Sequence, residues 1–259
     1  MTSPVRVATA GGVMTATLAD APNRNALGVA LVRGLRDALA AANADPAVRA
    51  LVVTNEGTTF CAGANLKERS GAGASSGVGS GGFEDLLLEI QTSPTPVIGR
   101  IAGHVVGGGN GLAAALDIAI AADDVKFGFT EVRLGVAPAI ISVVCLPKMR
   151  PGDAMEAFLR GHRFSAARAA ELGLIQRAVP ADQLDGAVAE VLADLRRAGP
   201  QALAHAKRLV HEVPRMAQKE AFAWTARLSG ELFRSEEAAE GMRAFLERRA
   251  PRWAETEDA

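Results

Sequence analysis

Cysteine is scarce in this chain of 259 residues: there are two, Cys61 and Cys145. They lie far apart, outside any CxxC or Cys/His spacing, so neither a disulfide framework nor a zinc site is suggested, and a reducing, cytoplasmic setting is expected. The four histidines do not repair the gap, because His205 and His211 face different sides of one helix and no ligand spacing arises. No metal is expected. An excess of one charge is also missing. Lysine plus arginine number 28 against 29 for aspartate plus glutamate, giving a formal net charge of -1. Such a chain has no global field to draw nucleic acid or anionic lipid, and neither is expected as a partner. Long apolar runs are absent too, being cut by charge or glycine well short of a membrane span, and MTSPVRVATAGG has no signal core. A protein neither secreted nor membrane-spanning is expected. Three motifs are lacking as well: GxxxxGK[ST], a GxGxxG opening a βαβ unit, and GxSxG around Ser93, Ser142 or Ser165. Nucleotide P-loop and serine hydrolase chemistry therefore find no support.

What the chain does have is a 49% apolar content, enough for one large domain or a domain with an appendage. Val5 and Val7, the Gly11-Gly12 turn, then Val13, Thr15 and Thr17 predict a β-hairpin. From Ala26, the positions Leu27, Leu31, Leu35, Ala38, Leu39 and Ala42 recur at helical spacing until Asp45-Pro46 stops them. ALVVT, VIGRI, IAIAA and KFGF read as short strands and FEDLLLEIQ as a helix, an alternation that favours an α/β core. Between Ser70 and Gly82 the composition falls to Gly, Ser and Ala, which predicts a mobile loop with a lid role. After about Pro147 helices are expected over Gly152 to Arg160, Ser165 to Leu172, Leu184 to Arg197, Gln201 to Glu212 and most of Arg215 to Arg249, with IQRAV as a strand among them.

The segment HVVGGGNGLAAALD places Gly107, Gly108 and Gly109 between a strand and a helix, where backbone N–H groups have no intrahelical partner. One reading is a tight turn needing positive φ. The other is stabilisation of a developing oxyanion, since glycine lets a carbonyl approach the main chain and the helix dipole favours negative charge there. TTFCAGANLKE has a similar small-residue turn at Ala62, Gly63 and Ala64, so two turns can supply one N–H each.

FCAGANLKE, GGGNGLAAALDIAIAADDVKFGFTEVRLGVAP, SAARAAELGLIQRAV and SEEAAEGMRAFLERRAPRW together resemble the crotonase superfamily, the enoyl-CoA hydratase/isomerase family. The resemblance implies an α/β fold: a crotonase-like spiral of ββα repeats over residues 1–200 and a helical C-terminal trimerisation region over 201–259. It implies a coenzyme A thioester as substrate, with no separate cofactor, and a homotrimer or hexamer. It also assigns roles. Ala64 and Gly108 match the backbone donors to the thioester carbonyl, Ala62, Asn65, Leu66 and Lys67 the segment along the CoA arm, and Glu131 the general acid/base. From residue type alone Glu131 reads as a surface glutamate.

Typical hydratases of the family have a second glutamate where this chain has Gly111. The expected activity is hydration of a 2-enoyl-CoA by Glu131 alone. The alternatives are Δ3,Δ2-enoyl-CoA isomerisation and a non-catalytic CoA-ester-binding oligomer. EVRLGVAPAIIS, Glu131 to Ser142, with Gly111 in place of the second glutamate, resembles a branch acting on branched or carboxylated enoyl esters such as methylglutaconyl-CoA, although Ile140 and Ile141 read as core residues by type. Asn110 is expected to cap its helix, Asp117 to make a turn, and Cys61 to be buried and inert. Leu232, Phe233, Met242, Phe245 and Leu246 read as packing on the chain's own core, or by the resemblance as a trimer interface. Arg248, Arg249, Arg252 and Trp253 read as a solvated basic tail or as neighbours of the CoA adenine and phosphates.

Overall fold

The opening residues VRVATAGGVMTATL pair with themselves. Strands β1 (Val5–Ala10) and β2 (Val13–Leu18) run antiparallel, joined by a turn in which Gly11 and Gly12 both take positive φ, as a two-residue hairpin requires. Helix α1 (Val29–Ala44) follows and buries the stripe Leu31, Val32, Leu35, Ala38, Leu39 and Ala42. The chain then repeats one unit three times. Strands β3 (Ala50–Asn55) and β4 (Thr59–Cys61) precede α2 (Leu66–Arg69) and α3 (Phe83–Thr92). Strands β5 (Val97–Ile101) and β6 (His104–Val106) precede α4 (Gly108–Ala115), and β7 (Ile118–Ala122) and β8 (Lys126–Gly128) precede α5 (Ala139–Cys145). The remainder comprises α6 (Pro151–Arg160), β9 (Arg163–Ser165), α7 (Ala166–Glu171), β10 (Arg177–Val179), α8 (Leu184–Arg197), α9 (Pro200–Glu212), α10 (Gln218–Leu232) and α11 (Glu236–Glu247). This computed structural model describes residues 3–69 and 82–254. The lid expected between Ser70 and Gly82 falls on residues 70–81, outside the described residues.

The first strand of each unit enters a six-stranded sheet ordered β1-β2-β3-β5-β7-β10, parallel from β2 onward. The second strands form a smaller sheet ordered β4-β6-β8-β9, with only β9 antiparallel. This is the ββα spiral. All six positions of β3 are buried, as are Val97, Ile98 and Ile101 of β5 and Ala119 to Ala122 of β7. Strands covered on both faces lose the alternation of a half-exposed strand, which is why these segments read as unbroken apolar runs while β2 alternates.

Several expectations change at this level. Leu27 does not belong to α1. It precedes the helix and bridges Ala64, its N–H donating to Gly63 O at 2.7 Å; helical spacing alone could not show that the chain there is held by partners 36 and 37 residues away. One helix the sequence reading did not name, α5, lies just before Pro147. The C-terminal stretch divides in two, with Ser235 capping α11 by accepting from Ala238 N–H. Asp117 is more than a turn residue. Its Oδ2 accepts from Val97 N–H at 2.7 Å and pairs with Lys207 Nζ at 2.8 Å, while Lys207 also donates to Ile90 O. The pair ties α9 to the edge of the core. Phe233, Phe245 and Leu246 are 68%, 82% and 80% exposed, so they do not pack on the chain's own core. The basic tail is not simply solvated, because Arg249 chelates Glu240 and the Trp253 indole donates to Arg197 O. No helix of the described residues is long and apolar enough to cross a membrane.

Candidate active site

Two strand-to-helix turns meet at the site, each placed by one strand of the smaller sheet. After β4 the chain reverses at Gly63, whose φ is 84°, and presents the amide of Ala64. After β6 it reverses at Gly107, φ 55° and ψ −128°, and presents the amide of Gly108 as the first residue of α4. The three consecutive glycines have separate reasons. Gly107 supplies the positive φ. A Cβ on Gly108 would meet Leu27 Cδ1 at 2.9 Å, and one on Gly109 would meet Cys61 O at 2.6 Å. The two turns are in backbone contact: a Cβ on Gly63 would stand 2.9 Å from Gly108 N, and one on Gly108 would stand 3.8 Å from Ala64 N. Among the described residues neither amide, Ala64 or Gly108, donates to a protein acceptor. Both border a single cavity of about 470 Å³. Two unpartnered N–H groups, one of them at the positive end of a helix, are suited to hold a carbonyl oxygen as it gains negative charge.

Glu131 enters the same cavity. It does not end strand β8 but opens a short 3-10 turn, Glu131–Leu134, closed by Gly135 at a φ of 75°. Its Oε1 lies 3.5 Å from where a Cβ of Gly107 would be, so the carboxylate packs against the glycine turn. Its Oε2 is buried and has no hydrogen-bond partner among the described residues. Burial holds its pKa above the ordinary carboxylate range, offset only in part by its own backbone amide. A carboxylate in that state accepts and returns a proton more evenly than a solvated one.

Of the remaining sequence candidates, Ala62 and Leu66 line the cavity, Leu66 exposed at its mouth. Asn65 and Lys67 are not among its lining residues. Asn65 Nδ2 donates to Glu68 Oε1 at 2.8 Å, and Lys67 is exposed with Nζ 3.5 Å from Asn23 Oδ1. Asn110 does not cap α4. It is buried, and its Nδ2 donates to Gly107 O at 3.0 Å and Gly128 O at 2.9 Å, tethering the amide-bearing turn to the strand that leads to Glu131. Ile140 and Ile141 both line the cavity. Cys61 is buried as expected, and burial pushes its thiol up to about 12, away from the reactive thiolate form.

Sequence reasoning named Gly63 only as part of a turn and gave Leu27 and Glu68 no role at the site. Glu68 Oε2 accepts from Val29 N–H at 3.1 Å, so one carboxylate caps α1 and holds the Asn65 side chain beside the Ala64 turn. The only sequence signal was the lack of an Asp, Asn, Ser or Thr at Gly28, the cap position of α1.

Two free amides from interlocked glycine turns, with one carboxylate beside them, form a site for polarising a carbonyl and moving a proton next to it. The sequence model described as "Enoyl-CoA hydratase/isomerase" matches residues 8–256. The chain belongs to the enoyl-CoA hydratase/isomerase family. An enoyl-CoA hydratase of Mycobacterium tuberculosis is 30% identical over 246 residues, covering 93% of this chain and 92% of its own. A carnitinyl-CoA dehydratase of Proteus mirabilis is 30% identical over 260 residues, covering 98% and 99%. A solved enoyl-CoA hydratase/isomerase from Marinobacter aquaeolei superposes with a TM-score of 0.90 at 30% identity, covering 98% of this chain and all of that one. Equal identity to differently named enzymes fixes the family and leaves the reaction to the site. This member of the family brings Ala62, Ala64, Leu66, Gly108 and Glu131 around one cavity.

Proposed function

We propose that this family member is an enoyl-CoA hydratase that works with Glu131 as its one proton carrier. The observation that carries the reading is the convergence of the free Ala64 and Gly108 amides on the cavity holding the partnerless Glu131 oxygen. With the thioester oxygen of a 2-enoyl-CoA on the two amides, electron density is drawn from C3. Glu131 takes a proton from water as the water oxygen bonds to C3, and the charge gathers on the thioester oxygen. Glu131 then returns the proton to C2, so the product is heavier by one water and the enzyme is unchanged. Asn65 and Lys67 lie outside the cavity beside Leu66, and the family resemblance supports them as the segment along the CoA arm. No separate cofactor enters this scheme.

A second reading rests on Gly111: with no second carboxylate at that position, one group suffices for Δ3,Δ2-isomerisation, in which Glu131 removes a proton from C2 and returns one to C4. As for the acyl group, among the described residues Glu131 is the only charged side chain lining the cavity. A distal carboxylate would find no cationic partner among the described lining residues. This supports an uncharged acyl group over methylglutaconyl-CoA. A mass-resolved screen of saturated, 2-enoyl, 3-enoyl and glutaconyl thioesters tests the reading. We expect the 2-enoyl ester to gain one water. Conversion of the 3-enoyl ester alone, without mass change, favours the isomerase, and inertness toward all four removes both.

The exposed Phe233, Phe245 and Leu246, together with Phe222 on α10, support assembly through the C-terminal helices as a homotrimer or a dimer of trimers. Light scattering should return three or six chains; a single chain at micromolar concentration contradicts it.

A further inference from the structure

The wall formed by α4 and α5 holds the clue to how this site is committed to one carboxylate. Gly111 lies on the buried face of α4. The three atoms nearest to a Cβ built there all belong to Ile141 of α5: Cγ2 at 2.2 Å, Cβ at 2.7 Å and Cα at 3.4 Å. Rotating the side chain would move Cγ2 but not the Cβ and Cα, which are fixed to the helix. Any side chain at 111 therefore has to displace α5 itself, and overpacking of this kind is poorly tolerated in a close-packed interior. Ile141 is itself buried, and it borders the same cavity as Ala64, Gly108 and Glu131.

We propose that Gly111 and Ile141 are an interlocked pair, in which Ile141 occupies the space a second acid/base side chain would need and makes that wall of the acyl cavity apolar. The inference deepens the function proposed above and rests on it for the assignment of the cavity to an acyl group. Two consequences follow. Replacing Gly111 alone with glutamate cannot install a working second carboxylate, because the volume is filled. Ile141 also limits the bulk of the acyl group beside Glu131, so it determines specificity without taking part in proton transfer.

The test is a two-background comparison: Gly111→Ala in the parent and Gly111→Ala in Ile141→Gly, each read by thermal melting and by kcat and KM on the preferred enoyl-CoA. In the parent background the added methyl should lower the melting temperature, as core overpacking does, and by shifting the cavity wall reduce kcat/KM by about tenfold or more. In the Ile141→Gly background it should do neither, and alanine's better helix propensity should leave melting equal or higher. If Gly111→Ala alone does not fold, recovery of folded protein by Ile141→Gly is the same result. Equal losses in both backgrounds, no loss in either, or no recovery would overturn the pairing. Ile141→Gly alone should raise kcat/KM for a branched over a straight enoyl-CoA by about tenfold, the usual scale for opening room for a methyl or two in an apolar pocket. An unchanged ratio overturns the specificity role. The two levels separate cleanly: a parent inert on every enoyl-CoA removes the proposed function, while the melting comparison still decides the pairing.

Discussion

Glu131→Gln should abolish turnover of the preferred enoyl-CoA while leaving the affinity for a saturated acyl-CoA within about twofold, because the amide keeps the shape of the carboxylate and loses only its basicity. A positioned proton-transfer group contributes typically ~10²–10⁴-fold, and here a single group serves both directions of transfer, so the upper part of that range is expected. The pH profile gives an independent readout. The ionised carboxylate is the form that accepts a proton, and burial raises the Glu131 pKa. Activity should therefore fall as pH drops through a midpoint above the ordinary carboxylate range, and the residual activity of Glu131→Gln should lack that acid limb. If the glutamine variant turned over every enoyl-CoA as fast as the parent, Glu131 would not be the proton carrier. If the parent itself were inert but bound acyl-CoA, the non-catalytic oligomer would be the better description.

Gly63→Ala is the second substitution with a large expected effect, and it acts on the other half of the site. Gly63 has a φ of 84°, and a Cβ there would stand 2.9 Å from Gly108 N and 3.0 Å from Val106 O. The methyl would sit between the two turns and force them apart, in a backbone conformation that already costs alanine about 1–2 kcal/mol. Loss of one oxyanion donor typically lowers kcat by about 10²–10³, and that is the expected loss, with KM changing little. Gly152→Ala serves as control, since Gly152 has nothing within 4 Å and lies in the first turn of α6; it should match the parent in kcat, with melting equal or higher. A Gly63→Ala enzyme with parental kcat would mean that the Ala64 amide does not touch the reacting carbonyl.

The larger outline of this molecule was legible in the sequence because its cause is local. Unbroken apolar runs such as IAIAA mark strands covered on both faces, and the stripe from Leu31 to Ala42 marks a helix on a core. GGG and CAGA were legible as turns because few other residues accept those backbone angles or that closeness of approach. Glu131 was not legible from its type, since glutamate is usually solvated; only the resemblance of FGFTEVRLG singled it out. The residues misread are those whose partners lie far along the chain. Asn110 looked like a cap because asparagine near a helix start usually is one, yet one of its acceptors is Gly128 O, 18 residues on. Leu27 fitted a helical period but is fixed by Gly63 and Ala64. The fit of Ile141 over Gly111 depends on how α5 crosses α4, which no local pattern encodes.

The account stands on the claim that the amides of Ala64 and Gly108 together polarise a thioester carbonyl. Isotope-edited infrared spectroscopy of a carbonyl-labelled acyl-CoA reads that directly. Bound to the parent, the carbonyl stretch should move to lower frequency than in water, and in Gly63→Ala most of that displacement should be lost. A stretch on the parent enzyme at or above its value in water would contradict the account.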